Sequence, residues 1–171
     1  MIMVKMGKLI YALLIFSLLL TALGCSFYGF QGGALSPEIE TLRIESFPNR
    51  AETVNPNLRE TFRRDLENKF ISQTDLELVD KDGDIVVEGA ITGYSVEPVG
   101  SADGGRATTN RLNMSITVEF TNNVEEDEDF QRTFDSREEF ENNFQAQEDQ
   151  LMRTLSEDIA DQVYEAIVID W

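Results

Sequence analysis

The clearest structural signal in the chain is the segment Arg111-Leu112-Asn113-Met114-Ser115-Ile116-Thr117-Val118-Glu119-Phe120-Thr121. Apolar residues occupy every second position from Leu112 to Phe120, and polar residues fill the positions between them. Because successive side chains of a strand point to opposite faces, this alternation predicts a β-strand with one buried face and one wet face. The chain therefore contains a sheet that is covered on one side.

Three further segments have the composition of strands, with turn-forming residues between them. They are Ile39–Phe47, Asp84–Val96, which is entered through Leu76–Val79 and an Asp82-Gly83 turn, and the less regular Phe130–Phe140. The connections are the Gly- and Thr-rich Gly100–Asn110, which reads as a mobile loop, and Asn122–Asp129, which contains five consecutive acids. Strands that follow one another through such short connections favour antiparallel pairing.

Two segments have the apolar spacing of amphipathic helices. The first follows Asn55-Pro56, where Asn is expected to cap the free N–H groups and Pro to occupy the first helical position. Its apolar stripe consists of Leu58, Phe62, Leu66 and Phe70. The closing helix, Gln147–Val168, has a stripe made of Leu151, Leu155, Ile159, Val163 and Ile167. Each helix thus has one face to bury.

The simplest arrangement buries both helical stripes on the apolar face of the sheet. The prediction is an α+β, two-layer sandwich in which two helices pack on one face of a four-stranded, mostly antiparallel sheet, in the order β-α-β-β-β-α. The other face of the sheet is expected to be polar, and either open or covered by a partner.

The N-terminus has the pattern of an export signal. Lys5 and Lys8 precede an apolar run that is too short for a confident membrane span. The sequence Ala22-Leu23-Gly24-Cys25 then resembles the lipobox of bacterial lipoproteins, with Gly24 as the small residue before the cysteine. We expect residues 1–24 to be a removable signal peptide, Cys25 to carry the lipid, residues 25–37 to form a tether and residues 38–171 to form the domain. Ser26, after the cysteine, favours the outer membrane.

Charge and composition exclude several classes of function. The chain has a formal charge of −18 and no histidine. Removal of the signal takes away Lys5 and Lys8 but no acid, which brings the charge to about −20. Such a chain is repelled by nucleic acid, and it lacks both the commonest general base and the commonest zinc ligand. We therefore expect no enzymatic activity, no metal and no cofactor.

Two charged motifs could bind an ion or a phosphate. Asp80-x-Asp82-x-Asp84 has the first spacing of a calcium loop but lacks its later ligands, so a turn is the better interpretation. Arg59, Arg63 and Arg64 form the main basic cluster. Arg59 and Arg63 lie four residues apart on one helix face and could bind a phosphate together; the alternative is pairing with Glu60, Asp65 or Glu67 on the same helix.

Separated blocks of the chain resemble the divergent short branch of the LptE family. The blocks are Phe47-Pro48-Asn49-Arg50, Val54-Asn55-Pro56 with Leu58, Phe70 with Gln73-Thr74 and Leu76, Gly89-x-Ile91-x-x-Tyr94, Asn110-Arg111-Leu112, and the closing helix ending in Trp171. The resemblance implies two helices against a four-stranded sheet. It also implies an outer-membrane lipoprotein, on the periplasmic side or inside a barrel lumen, that plugs and helps to assemble the LptD barrel in lipopolysaccharide transport. Contact of Arg59, Arg63 and Arg64 with lipopolysaccharide phosphates is a further expectation.

Two alternatives remain open from the sequence. The first is a periplasmic lipoprotein that carries a lipid or glycan in a groove between helices and sheet. The second is a hydrolase built on two carboxylates. In every case the expected attachment to the membrane is the lipid at Cys25.

Overall fold

The computed structural model describes residues 35–53, 55–99, 109–125, 128–141 and 143–169. The predicted signal peptide, Cys25, most of the tether and most of the Gly100–Asn110 loop lie outside these ranges. The elements are β1 (Thr41–Ile44), α1 (Leu58–Gln73), β2 (Glu77–Leu78), β3 (Ile85–Pro98), β4 (Asn110–Asn122), β5 (Phe130–Phe140) and α2 (Phe144–Val168).

The sheet has five strands in the order β2-β1-β3-β4-β5. Strand β1 is parallel to both of its neighbours, whereas β3, β4 and β5 form an antiparallel meander. The α+β class and the two helices are confirmed, but the predicted four-stranded, mostly antiparallel sheet is wrong. The fifth strand has only two residues, too few for a periodic signal. The long crossover through α1 returns the chain in the direction of β1, so these pairings are parallel.

Strand β1 is shorter than the predicted Ile39–Phe47, because the chain after Ile44 follows β3 without regular pairing. Three backbone hydrogen bonds hold it there: Glu45 N to Val87 O (2.9 Å), Ile91 N to Pro48 O (3.0 Å) and Arg50 N to Ile91 O (2.8 Å). Phe47 turns inward and is fully buried, with its ring 4.9 Å from that of Phe62. Residues 45–50 therefore run alongside β3 beyond the end of β1.

The helices begin at different residues from those predicted. Asn55 does not cap α1; its Oδ1 accepts a hydrogen bond from Asn57 N (2.9 Å), and the helix begins at Leu58. Side chains of this type favour such local turns over helical backbone, so the Asn-Pro pair forms the approach to the helix. Helix α2 begins at Phe144, before the predicted Gln147.

The two helices run parallel to each other on the apolar face of the sheet. Contacts occur in the same order along both: Asp65 with Ser156, Lys69 with Asp161, and Gln73 with Tyr164. The space between helices and sheet is filled by large side chains that are buried completely or almost so, which include Phe47, Phe62, Phe70, Phe120, Leu42, Leu58, Leu66, Ile85, Ile91, Leu112, Met114 and Ile116. One continuous apolar core thus joins the two layers.

Candidate functional site

The outer face of the β3–β4–β5 meander carries mainly polar side chains, as the alternation in β4 predicts. The strand register aligns them in rows across the sheet: Glu88, Glu119 and Gln131; Ala90, Thr117 and Thr133; Gly93, Ser115 and Asp135; Ser95, Asn113 and Arg137; Glu97, Arg111 and Glu139. We call this surface the open face. No helix among the described residues covers it, because both helices contribute their buried residues to the core on the other side.

Several rows of the open face satisfy their own polar groups. Ser115 Oγ donates to Asp135 Oδ1 (2.5 Å), and the hydroxyls of Thr117 and Thr133 are 2.9 Å apart. Arg111 forms an ion pair with Glu139 across the sheet, with 2.6 Å between nitrogen and oxygen. These cross-strand pairs contribute to pairing of the strands and leave few free polar groups at this end.

A groove of about 500 Å³ lies where residues 45–50 border the open face. We call it the open-face groove; its lining comprises Glu45, Ser46, Pro48, Arg50, Glu88, Gly89, Ala90, Thr92, Thr117, Glu119 and Gln131. Small residues form much of its floor, and carboxylates stand at its sides. Glu88 and Glu119 are direct cross-strand partners. Arg50 is the only basic residue among these described lining residues.

The structure separates the three arginines that the sequence grouped. Arg59 and Arg63 line a common groove of about 370 Å³ together with Arg43. Arg64 lies in a different depression, with Arg153. Residues four apart share a helix face whereas neighbours do not, which explains the division.

Pairing within the helix, the alternative left open by the sequence, occurs for two of these arginines. Arg63 pairs with Glu67 at 2.8 Å and with Glu60 at 3.8 Å, and Arg64 pairs with Asp65 at 3.5 Å. Arg59 has no ion pair in the part of the chain that the structure describes. Of the three, Arg59 is therefore the arginine with a guanidinium available for a ligand.

Arg43 is the member of this basic groove that sequence reasoning missed. Its guanidinium pairs with Glu45, and the groove also contains Glu60 and Asp80. The fold brings Arg43 of β1 to the same groove as Arg59 and Arg63 of α1. A local sequence pattern cannot predict this, because the apolar neighbours Leu42 and Ile44 indicate only a strand.

Asp84 closes the turn that was compared with a calcium loop. Asp82 adopts a φ of 53°, which the turn interpretation accommodates. The Asp84 carboxylate accepts hydrogen bonds from Thr41 Oγ1 (2.7 Å), Thr41 N (2.9 Å) and Glu40 N (3.0 Å). These hydrogen bonds lower the pKa of the Asp84 carboxyl, and the bond from the Thr41 hydroxyl has the largest effect. The residue thus ties the start of β3 to β1, and the described residues contain no cluster suited to a metal ion.

The acidic connection after β4 is organised by Asn122, whose side chain is fully buried. Asn122 Nδ2 donates to Glu128 Oε2 (2.6 Å), and Asn122 Oδ1 accepts from the backbone N–H groups of Val124 (3.0 Å) and Glu125 (2.9 Å). Burial, together with a hydrogen bond to Glu125, raises the pKa of Glu128. The connection is therefore held against the domain at both of its ends.

A polar cluster links both layers at the opposite end of the sandwich. Glu148 Oε1, on α2, accepts hydrogen bonds from Asn55 Nδ2 (2.7 Å) and from the hydroxyl of Tyr94 (3.3 Å). Burial of the Tyr94 ring, followed by the charge of Glu148, raises the pKa of the Tyr94 hydroxyl well above its ordinary value. The hydroxyl therefore acts as a donor at all physiological pH values.

Core side chains fill the layer between the helices and the sheet. A groove of about 690 Å³ lies where the ends of the two helices meet β2 and the segment before β1, and its lining includes Leu35, Ile39, Leu76 and Val168. This groove is where the carrier alternative would place a lipid. No described helix is long and apolar enough to cross a membrane.

Solved structures with the same fold define the class of this protein as a two-layer α+β domain. A hypothetical protein from Chlamydia trachomatis has 11% identity and a TM-score of 0.54, with 75% of this chain and 98% of that chain covered. Rare lipoprotein B from Shewanella oneidensis has 12% identity and a TM-score of 0.52, with 73% and 92% covered. A PelC dodecamer from Paraburkholderia phytofirmans has 12% identity and a TM-score of 0.51, with 80% and 94% covered.

The chain belongs to the LptE family. The family model, described as lipopolysaccharide-assembly, matches residues 39–167, which include every described helix and strand apart from the last residue of α2. This confirms the resemblance derived from the sequence blocks. The comparison with curated proteins found no match. The family is one of lipoproteins that assist assembly, and not one of enzymes.

Proposed function

We propose that this protein is an outer-membrane lipoprotein that pairs with an LptD-like barrel and assists its assembly and the delivery of lipopolysaccharide to the cell surface. Membership of the LptE family supports the general role in lipopolysaccharide assembly. The observation that carries the proposal is the open face: a broad polar sheet surface on the side of the sheet opposite the apolar core. A polar surface of this kind suits the polar lumen of a large barrel.

The partnership is tested by purification of the tagged lipoprotein from detergent extracts of its own bacterium. We expect the LptD barrel in near-equal amount, and we expect depletion of the lipoprotein to lower both assembled LptD and surface lipopolysaccharide. Recovery of the lipoprotein without the barrel, under conditions that preserve other outer-membrane complexes, would refute the proposal. An unrelated lipoprotein with the same tag serves as the control.

The membrane attachment is tested at Cys25. We propose that residues 1–24 are removed, that Cys25 becomes the acylated N-terminus and that residues 25–37 connect it to the domain. Mass spectrometry of the mature N-terminal peptide should find an acylated cysteine. Cys25→Ala should remain with its signal uncleaved, whereas Ser26→Ala should be processed normally. An unmodified Cys25 in the mature protein would contradict this assignment.

We further propose that the arginine group on α1 contacts lipopolysaccharide phosphates, with Arg59 as the main contact and Arg63 and Arg64 as supporting charges. Arg59 is exposed and unpaired in the described structure, so its loss removes a charge without breaking a contact. We expect Arg59→Gln to weaken lipopolysaccharide binding about tenfold. Lys81→Gln, which removes the same charge from a turn, is the control. Equal affinities for the two variants would show that α1 does not contact the phosphates.

A further inference from the structure

Glu88 on β3 and Glu119 on β4 are direct cross-strand partners, and both belong to the open face. Like charges in directly opposite positions destabilise strand pairing. Neither carboxylate forms an ion pair or a hydrogen bond within the part of the chain that the structure describes. Both line the open-face groove, where Arg50 is the one cation among the described lining residues, so two unpaired carboxylates against one guanidinium leave the groove negative.

At the other end of the open face, acidic side chains are paired within the domain. There, Arg111 pairs with Glu139 at 2.6 Å, and Asp135 accepts the hydroxyl hydrogen bond of Ser115. Within the groove, Glu45 is paired, but with Arg43, which is not among the lining residues. Acids on this face are thus matched within the fold everywhere except at the Glu88–Glu119 pair and at Glu97.

The chemistry of the groove selects the kind of ligand that can neutralise the pair. The described residues contain no group of three potential ligands that could hold a metal ion, so the site does not suit a divalent cation. Phosphate-bearing ligands are repelled from this groove by its two unpaired carboxylates. A guanidinium or ammonium group on a side chain fits both the negative charge and the volume, about 500 Å³, of this solvent-open groove.

We propose that the open-face groove receives arginine or lysine side chains from the protein partner, and that Glu88 and Glu119 are the residues that bind them. The inference rests on the proposed function, since it assigns the partner of that function to one part of the open face. The carboxylates would then destabilise the free domain and stabilise the complex.

The first measurement separates this role from a merely structural one. Glu88→Gln/Glu119→Gln removes the repulsion across the strands, so we expect the Tm of the free full-length protein to rise by about 1–3 °C. The matched control is Glu157→Gln/Glu165→Gln on the exposed surface of α2, which removes the same charge. A fall in Tm for the groove variant alone would mean that the pair stabilises the fold, and would overturn the proposal.

The second measurement is association with the LptD barrel of the same bacterium, in detergent, from 20 to 500 mM salt. For Glu88→Gln/Glu119→Gln we expect association about tenfold slower at low salt, with most of the salt dependence lost. The α2 control should associate like the unsubstituted protein. If the unsubstituted protein and both variants bind the barrel equally, the proposed function stands and this inference falls.

A third measurement does not depend on the barrel. An extended peptide of alternating Arg and Ser is titrated into the isotope-labelled protein, and amide shifts are followed. We expect shifts at Ala90, Thr92 and Thr117 that the groove variant loses and the α2 control retains. If the barrel does not bind while these shifts occur, the proposed function fails and the groove retains its specificity for basic side chains. Shifts elsewhere, or shifts unchanged in the groove variant, refute the inference.

Discussion

Asp84, directly before β3, joins the parallel part of the sheet to the antiparallel part. The Asp84 carboxylate accepts three hydrogen bonds from Glu40 and Thr41, and Asp84 N donates to Thr41 Oγ1 at 2.9 Å. Hydrogen bonds to a charged group are stronger than those between neutral groups. We expect Asp84→Ala to lower the free energy of unfolding by about 2 kcal/mol at pH 7, measured by urea denaturation. Asp80→Ala, in the same turn, should change it little.

The same interaction gives this residue a defined pH dependence. Because the pKa of Asp84 is lower in the fold than its unfolded value of about 3.9, its stabilisation is complete above about pH 5 and disappears as the pH falls through the folded pKa. We therefore expect the difference in stability between the unsubstituted protein and Asp84→Ala to be constant from pH 7 to 5 and to narrow below pH 4. A difference that widens in acid would contradict this assignment.

Gly89 is required because strand β4 and the ring of Phe47 lie too close to it to admit a side chain. A Cβ atom at this position would lie 2.1 Å from the Thr117 carbonyl oxygen and 2.9 Å from the Phe47 ring, whose positions are fixed by strand pairing and by burial. We expect Gly89→Ala to cost about 3 kcal/mol of unfolding free energy. Gly93→Ala is the control, because its Cβ would meet mainly the Ser115 side chain at 3.0–3.1 Å. Equal losses would show that backbone contact is not the cause.

At the scale of the elements, the two parallel helices are joined by one buried polar contact. Ser156, which is fully buried, donates to Asp65 Oδ2 at 2.7 Å, while Asp65 also pairs with Arg64. Loss of the hydroxyl leaves a carboxylate with an unmet acceptor inside the interface. In a double-mutant cycle of Asp65→Ala and Ser156→Ala, we expect a coupling energy of about 1–2 kcal/mol from denaturant unfolding. Additive effects would mean that the Asp65–Ser156 contact does not contribute to the association of the helices.

The sequence predicts elements well where a periodic pattern is long. Strand β5 begins and ends as predicted, and β4 extends the predicted Arg111–Thr121 by one residue at each end. Strand β2 lies within Leu76–Val79, which the sequence predicts only as the extended entry to β3, since two residues carry no period and owe their pairing to β1. The start of α1 was missed because Asn55 and Pro56 suit both a helix start and the turn before it.

The sequence predicts which faces the candidate site residues occupy but not which residues pair across the strands. Alternation in β4 places Thr117 and Glu119 on the wet face, and the four-residue spacing places Arg59 beside Arg63. The register that sets Glu88 against Glu119 depends on the bulge between Ile91 and Gly93, where the pairing shifts by one residue. Alternation identifies a face but not a partner, so this pair appears only in the folded sheet.

At the scale of the whole molecule, the domain should fold without the segment that precedes it. Residues 33–171 form a separate compact unit, and its buried core runs from Ile39 to Ile167. We expect a chain of residues 33–171 to unfold in one cooperative transition, with coincident far- and near-ultraviolet circular dichroism curves. Separate transitions, or loss of near-ultraviolet signal, would show that residues before 33 contribute to the core.

The position of β1 between β2 and β3 has a consequence for biosynthesis. Leu42 pairs with Leu78 on one side and with Ile85 on the other, so neither neighbour exists when β1 leaves the ribosome. The meander and α2, by contrast, assemble from contiguous sequence. Both backbone edges of β1 therefore remain unpaired until β2 and β3 have been synthesised and can pair with it. Newly made chains are most vulnerable to misassociation through this short N-terminal strand, and a holding chaperone that recognises extended apolar segments would act there first.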